Sequence, residues 1–92
     1  MKDLTEIRAE LDKIDSEIVK LMLERLKLSG EVGEYKKISG KKVYDKAREE
    51  EKIGTLTAMA EDELAKKYVA DIYEHILNYS REAQYIIMTE NK

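Results

Sequence analysis

Arg25 stands where the pattern around it calls for a leucine. Read at heptad spacing, the first segment gives Leu4, Ile7, Leu11, Ile14, Ile18, Leu21, Arg25, Leu28, Val32 and Tyr35, nine apolar residues out of ten. A cation in such a seam is costly unless an anion meets it. Ser29 and Lys36 follow at offsets of four and eleven residues, which return close to the same helical angle, so the three share one face. Arg25 and Lys36 are about 16 Å apart along a helix axis, and two long cationic side chains reaching toward each other could close on a small ligand. Asp45, Arg48, Glu49 and Lys52 follow i, i+3, i+4, i+7 spacing and form one charged stripe. Ser80 and Gln84 are four apart and flanked by Ile76, Ala83 and Ile87; a hydroxyl and an amide on the edge of an apolar stripe need partners.

Together these residues describe a cationic pocket with neutral hydrogen-bond donors, which suits a small di-anion. Three of the four arginines fall in the set once Arg8, one position beyond Ile7, is included. Arg8 lies 17 residues from Arg25, about 25 Å along a helix, so the two can share a small ligand only if a second subunit supplies one of them. Each set also has an ordinary structural alternative. Arg8 and Lys36 can be snorkelling surface cations. The charged stripe can be a solvated, salt-bridged face. Ser80 and Gln84 can be boundary polar residues, and Arg25 can form a structural ion pair with Asp45 or Glu49. The sequence offers no nucleophile–base pair, no metal-ligand cluster and no Gly-rich phosphate loop. Neither a cofactor nor a metal is expected, and His75, with no obvious partner, reads as a surface residue.

The elements that must position these groups are three helices. The first runs from about Leu4 to about Lys37, with Gly30 and Gly33 inside it, where glycine permits close approach of another backbone. Ile38-Ser39-Gly40-Lys41-Lys42 is the first connection, broken by Ser-Gly. The second starts near Asp45, an N-cap type, and runs to about Ala60; the third runs from about Glu63, capped by Asp62, to about Thr89, with a stripe of Val69, Ile72, Tyr73, Ile76, Ala83 and Ile87. The fold class is therefore all-α, in a single domain over residues 1–92. A first helix of about 50 Å cannot fit inside a globule whose radius of gyration is about 12 Å. It must project, and its exposed seam predicts a homodimer in which the long helices pack together.

The composition agrees. The chain has 40% charged residues, no Pro, Trp, Phe or Cys, and only four Gly. Without cysteine there is no disulfide framework, and no run approaches a membrane span, so a cytoplasmic location is expected. A net charge of −3 gives no electrostatic reason to expect nucleic acid, and the cluster Lys36, Lys37, Lys41, Lys42 reads as a solvated turn.

Nearly the whole chain resembles the all-helical class of chorismate mutase. The resemblance is carried by Leu4-x-x-Ile7-Arg8-x-x-Leu11-Asp12-x-Ile14-Asp15, Leu23-Glu24-Arg25, Val32-Gly33-x-x-Lys36, Val43-x-Asp45-x-x-Arg48-Glu49 and Ser80-x-x-x-Gln84, in order and at family spacing. It implies an entwined homodimeric helical bundle with two active sites, each completed by Arg8 of the partner subunit. It implies conversion of chorismate to prephenate, a [3,3] rearrangement on the route to phenylalanine and tyrosine. In that family Arg25 and the partner's Arg8 would hold the substrate carboxylates. Lys36 and Gln84 would donate to the ether oxygen, Arg48 and Ser80 would help position a carboxylate, and Glu49, with Asp45 nearby, would receive the hydroxyl. Lys52 departs from the family, which usually carries an aliphatic residue there, and Gly54 falls within the second helix. Many members are fused to a prephenate dehydratase, a prephenate dehydrogenase or an aldol-type synthase; the 92 residues here span the mutase-like segment. Two alternatives stand beside this one: isochorismate-pyruvate lyase, which shares the fold and a cationic pocket, and a non-catalytic helical interaction module.

Overall fold

The computed structural model describes Met1–Glu90, and the last two residues of the expected 1–92 domain, Asn91 and Lys92, lie outside the described residues. Three helices make up the fold: α1 (Leu4–Ser39), α2 (Lys46–Thr57) and α3 (Glu63–Thr89). Each begins at an aspartate whose carboxylate accepts a backbone N–H of the first turn: Asp3 from Glu6 at 2.9 Å, Asp45 from Arg48 at 3.1 Å and Asp62 from Ala65 at 2.7 Å. Such a cap stabilises a helix by about 1 kcal/mol. α1 stops at Gly40, whose φ of 76° is left-handed and whose N–H donates to the Lys36 carbonyl at 2.8 Å. α2 is shorter than expected. It ends at Thr57, where N–H groups of Met59 and Ala60 reach back only three residues and tighten the chain into the turn toward α3.

α3 is the element that both α1 and α2 pack against. The C-terminal part of α1 runs alongside α3 in the same direction, since Arg25 meets Ser80, Gly33 meets Gln84, and the Lys37 ammonium donates to the Glu90 carbonyl at 2.9 Å. Gly33 makes the approach possible. A Cβ there would stand 3.0 Å from the Gln84 Cα and 3.2 Å from its carbonyl oxygen. Along α3, Val69, Tyr73, Ile76, Ala83 and Ile87 are half-buried, as the stripe predicts. Ile72 is exposed instead. The buried line is Leu77, Ser80 and Gln84, one position round the helix, because it is this line that faces α1.

The apolar core of the single chain is small. Among the described residues only Val43 and Leu77 are buried apolar side chains. Every residue of α1 before Arg25 is exposed, including Leu11 and Ile14 at 50% and 54% of their surface. The molecule measures 56 × 28 × 13 Å with a radius of gyration of 16.7 Å, well above the about 12 Å of a compact chain this long. The long helix therefore does project, with its seam uncovered.

The two glycines of α1 should respond oppositely to alanine. Gly33→Ala forces the methyl against backbone that cannot yield and should cost about 1–3 kcal/mol. Gly30→Ala, whose nearest neighbour is the Ile87 side chain at 4.0 Å, should be neutral or stabilise by up to about 1 kcal/mol. Urea melts of the two variants check this; equal effects would mean that the α1–α3 approach at Gly33 is not close.

Candidate active site

All of the expected site residues except Arg8 line one cleft of about 260 Å³ between the three helices and the segment joining α1 to α2. α1 contributes Arg25, Ser29 and Lys36, α2 and its cap contribute Asp45, Arg48, Glu49 and Lys52, and α3 contributes Ser80 and Gln84. The cleft is at the small end of the range for small-molecule sites, about 300–1,000 Å³. Five cations (Arg25, Lys36, Arg48, Lys52, Arg81) and two carboxylates (Asp45, Glu49) line it, an excess of three positive charges in a chain of net charge −3.

Arg25 is half-buried, and its guanidinium Nη1 donates to the Ser80 hydroxyl. Among the described residues no carboxylate partners it. Asp45 caps α2, and Glu49 pairs with Arg81 from α3. The structural ion pair that would have explained Arg25 without a ligand is not made. Ser29, buried, donates back to the Arg25 carbonyl at 3.0 Å and so occupies its own hydroxyl within α1. The Lys36 ammonium donates to the Val43 carbonyl at 2.9 Å, holding the connecting segment over the cleft; an ammonium has two further donors to offer. Among the described residues the side chains of Arg48 and Lys52 have no hydrogen-bond or ion-pair partner, and the intrahelical pair of α2, Lys46–Glu50, lies outside the cleft stripe. Gln84 is 8% exposed, and its Oε1 has no partner among the described residues. The orphaned oxygen is costly and calls for a hydrogen-bond donor, while the amide Nε2 makes no hydrogen bond among the described residues and is the atom left to donate to a ligand.

Arg8 is exposed on the first turns of a continuous helix, about 25 Å from Arg25, and does not reach this cleft within its own chain. His75 is exposed on α3 and takes no part. Lys52 adds a cation without breaking α2, which also runs unbroken through Gly54. The residue that sequence reasoning missed is the fourth arginine, Arg81. Its Nη1 donates to the Glu49 carboxylate and its guanidinium lies 5.1 Å above the Tyr44 ring. The signal was its spacing: Arg81 stands three residues before Gln84, within reach of the same helical face.

Three helices thus bring residues in this order to one cleft with a surplus of three positive charges. The family model for chorismate mutase type II matches residues 7–85, and the chain belongs to that family. It is also similar to the bifunctional chorismate mutase/prephenate dehydratase of Aquifex aeolicus (strain VF5), 41% identical over 51 residues that cover 55% of this chain and 14% of that protein. The chain thus matches a minor part of the length of that curated relative. No solved structure matches it significantly.

If the partner missing from Arg25 is an anionic ligand, binding should stabilise the fold by mass action. A bicyclic dicarboxylate mimic of the rearrangement's transition state, at about a hundredfold excess over its Kd, should add about 2.7 kcal/mol and raise Tm. The shift should be much smaller in Arg25→Ala. Equal shifts in both proteins would make Arg25 a structural residue.

Proposed function

We propose that this protein is a chorismate mutase, converting chorismate to prephenate in aromatic amino-acid biosynthesis, and that the cleft is its active site. The observation that carries the proposal is the convergence of Arg25, Lys36, Asp45, Arg48, Glu49, Ser80 and Gln84 on one cleft with a surplus of positive charge. The reaction is intramolecular. One C–O bond breaks as one C–C bond forms, with no proton transfer and no covalent enzyme intermediate. The protein has to hold the substrate folded so that the reacting carbons meet, and to stabilise the charge that develops.

The side chains suit those tasks. Arg25, with only one donor given to Ser80, keeps the paired N–H edge that a carboxylate accepts. Arg48 and Ser80 supply further donors for a carboxylate. Lys36 and the Gln84 amide donate to the ether oxygen, which gains negative charge as its bond to the ring breaks. Glu49 receives the ring hydroxyl, with Asp45 beside it on the cap of α2. A donor that meets charge present mainly in the transition state raises the rate more than it tightens substrate binding.

The proposal includes a homodimer, with Arg8 of the partner subunit as a second carboxylate ligand. Support comes from the length of α1, its uncovered apolar seam and a core with only two buried apolar side chains among the described residues. A second copy whose α1 runs antiparallel would cover the seam and bring its Arg8 toward Arg25. A single domain over residues 1–92 in the cytoplasm completes the proposal, the location resting on the cysteine-free composition; no helix among the described residues is long and apolar enough to cross a membrane.

Ultraviolet absorbance of chorismate, and separately of isochorismate, followed with purified protein tests the activity. Loss of chorismate with prephenate as product is expected. Pyruvate and salicylate from isochorismate would make the protein a lyase, and no change in either would leave a helical interaction module. Within the mutase, Lys36→Ala should lower kcat by at least about 10²-fold, the scale for losing an oxyanion donor. An unchanged kcat with a raised KM would reduce Lys36 to a binding group.

A further inference from the structure

We propose that Arg81 is a positioning residue that holds the Glu49 carboxylate away from the other cleft cations and aimed at the ring hydroxyl of the substrate, an inference that rests on the cleft being a chorismate site. Arg81 is fixed from three sides. Its Nη1 donates to Glu49 Oε1 on α2, its Nη2 lies 3.4 Å from Asn78 Oδ1 on α3, and its guanidinium stacks over Tyr44 from the connecting segment. A planar guanidinium held on a ring face and on two oxygens has little freedom left.

What this achieves follows from the charges around Glu49. The cleft holds four other cations: Arg25, Lys36, Arg48 and Lys52. A mobile carboxylate among them would settle on one, and the pair so formed would remove a cation from the anion's site. Asp45, the other cleft carboxylate, is restrained by capping α2. Arg81 restrains Glu49 in the same sense, by taking Oε1. Oε2 has no partner among the described residues and is the atom left to accept a hydroxyl from a ligand. The two side chains are only 25% and 20% exposed, so the pair is largely buried and its loss lowers stability as well. Selectivity, not folding, is therefore the readout that distinguishes positioning of Glu49 from a merely structural ion pair.

The test compares kcat/KM for chorismate and for its ring O-methyl ether, which cannot donate to Glu49. The parent should favour chorismate. Arg81→Met should shrink that preference by about tenfold or more, the worth of one hydrogen bond to a charged acceptor, beyond any fall in Tm. Arg81→Lys, which keeps a cation beside Glu49, should restore part of it, and Arg81→Gln serves as a second neutral variant should Arg81→Met fold poorly. In a Glu49→Gln background, Arg81→Met should have no further effect on the preference. An equal effect in both backgrounds would show that Arg81 does not act through Glu49 and overturn the proposal. So would an active parent whose preference survives Arg81→Met and Arg81→Gln, with only Tm reduced. A parent inert toward chorismate overturns the functional assignment instead, and this inference falls with it.

Discussion

The cleft depends on a charge that the single chain does not neutralise. Arg25 sits in an otherwise apolar seam, half-buried, with only a hydroxyl for its side-chain partner among the described residues. With it, the cations that line the cleft outnumber the carboxylates five to two. Such a concentration of like charge disfavours the folded state unless an anion is present. Both carboxylates that could have relieved it are committed elsewhere, Asp45 to the cap of α2 and Glu49 to Arg81. The charge is thus left over among the described residues, and in the proposed function a bound di-anion relieves it.

The architecture around that charge follows from α3. It receives α1 on one side, through the contact at Gly33, and α2 on another. Because α1 and α2 meet through α3 and not directly, a cleft remains between them, and the segment from Gly40 to Asp45 closes one side of it through the Lys36–Val43 hydrogen bond. The half of α1 before Arg25 buries none of its residues in its own chain. Its apolar residues stay in solvent at a cost of about 25 cal/mol per Å², and a second copy of the chain would recover it. In that arrangement, core and active site are completed by the same association.

Much of this was legible in the residue order. Heptad spacing gave α1, and Asp45, Asp62 and Gly40 marked helix ends through chemistry that acts within one turn. Arg25, Ser80 and Gln84 stood out because each interrupts or edges an apolar stripe, and Asp45, Arg48, Glu49 and Lys52 because they form one charged stripe. Signals that depend on how helices sit against one another were not legible. Ile72 fits the stripe of α3 and is exposed, whereas Leu77 lies off it and is buried, because the angle at which α1 approaches decides which line is covered. The pairing of Arg81 with Glu49 joins residues 32 apart on different helices, and nothing in the local spacing of either predicts it. The end of α2 was misjudged by three residues, the usual uncertainty of a helix that stops without glycine or proline.

The claim on which the rest turns is that one ligand is held by Arg25 of one chain and Arg8 of another. The most direct measurement mixes two inactive proteins. Arg8→Ala and Arg25→Ala homodimers should each lack mutase activity. In a heterodimer, one site receives Arg25 from the first chain and Arg8 from the second and is intact, while the other lacks both. Co-refolding equal amounts should therefore restore activity to about one quarter of the parent's sites under random pairing of a two-fold dimer. If Arg8 acted within its own chain, no pairing could rebuild a site, and absence of recovered activity after verified subunit exchange would contradict the account.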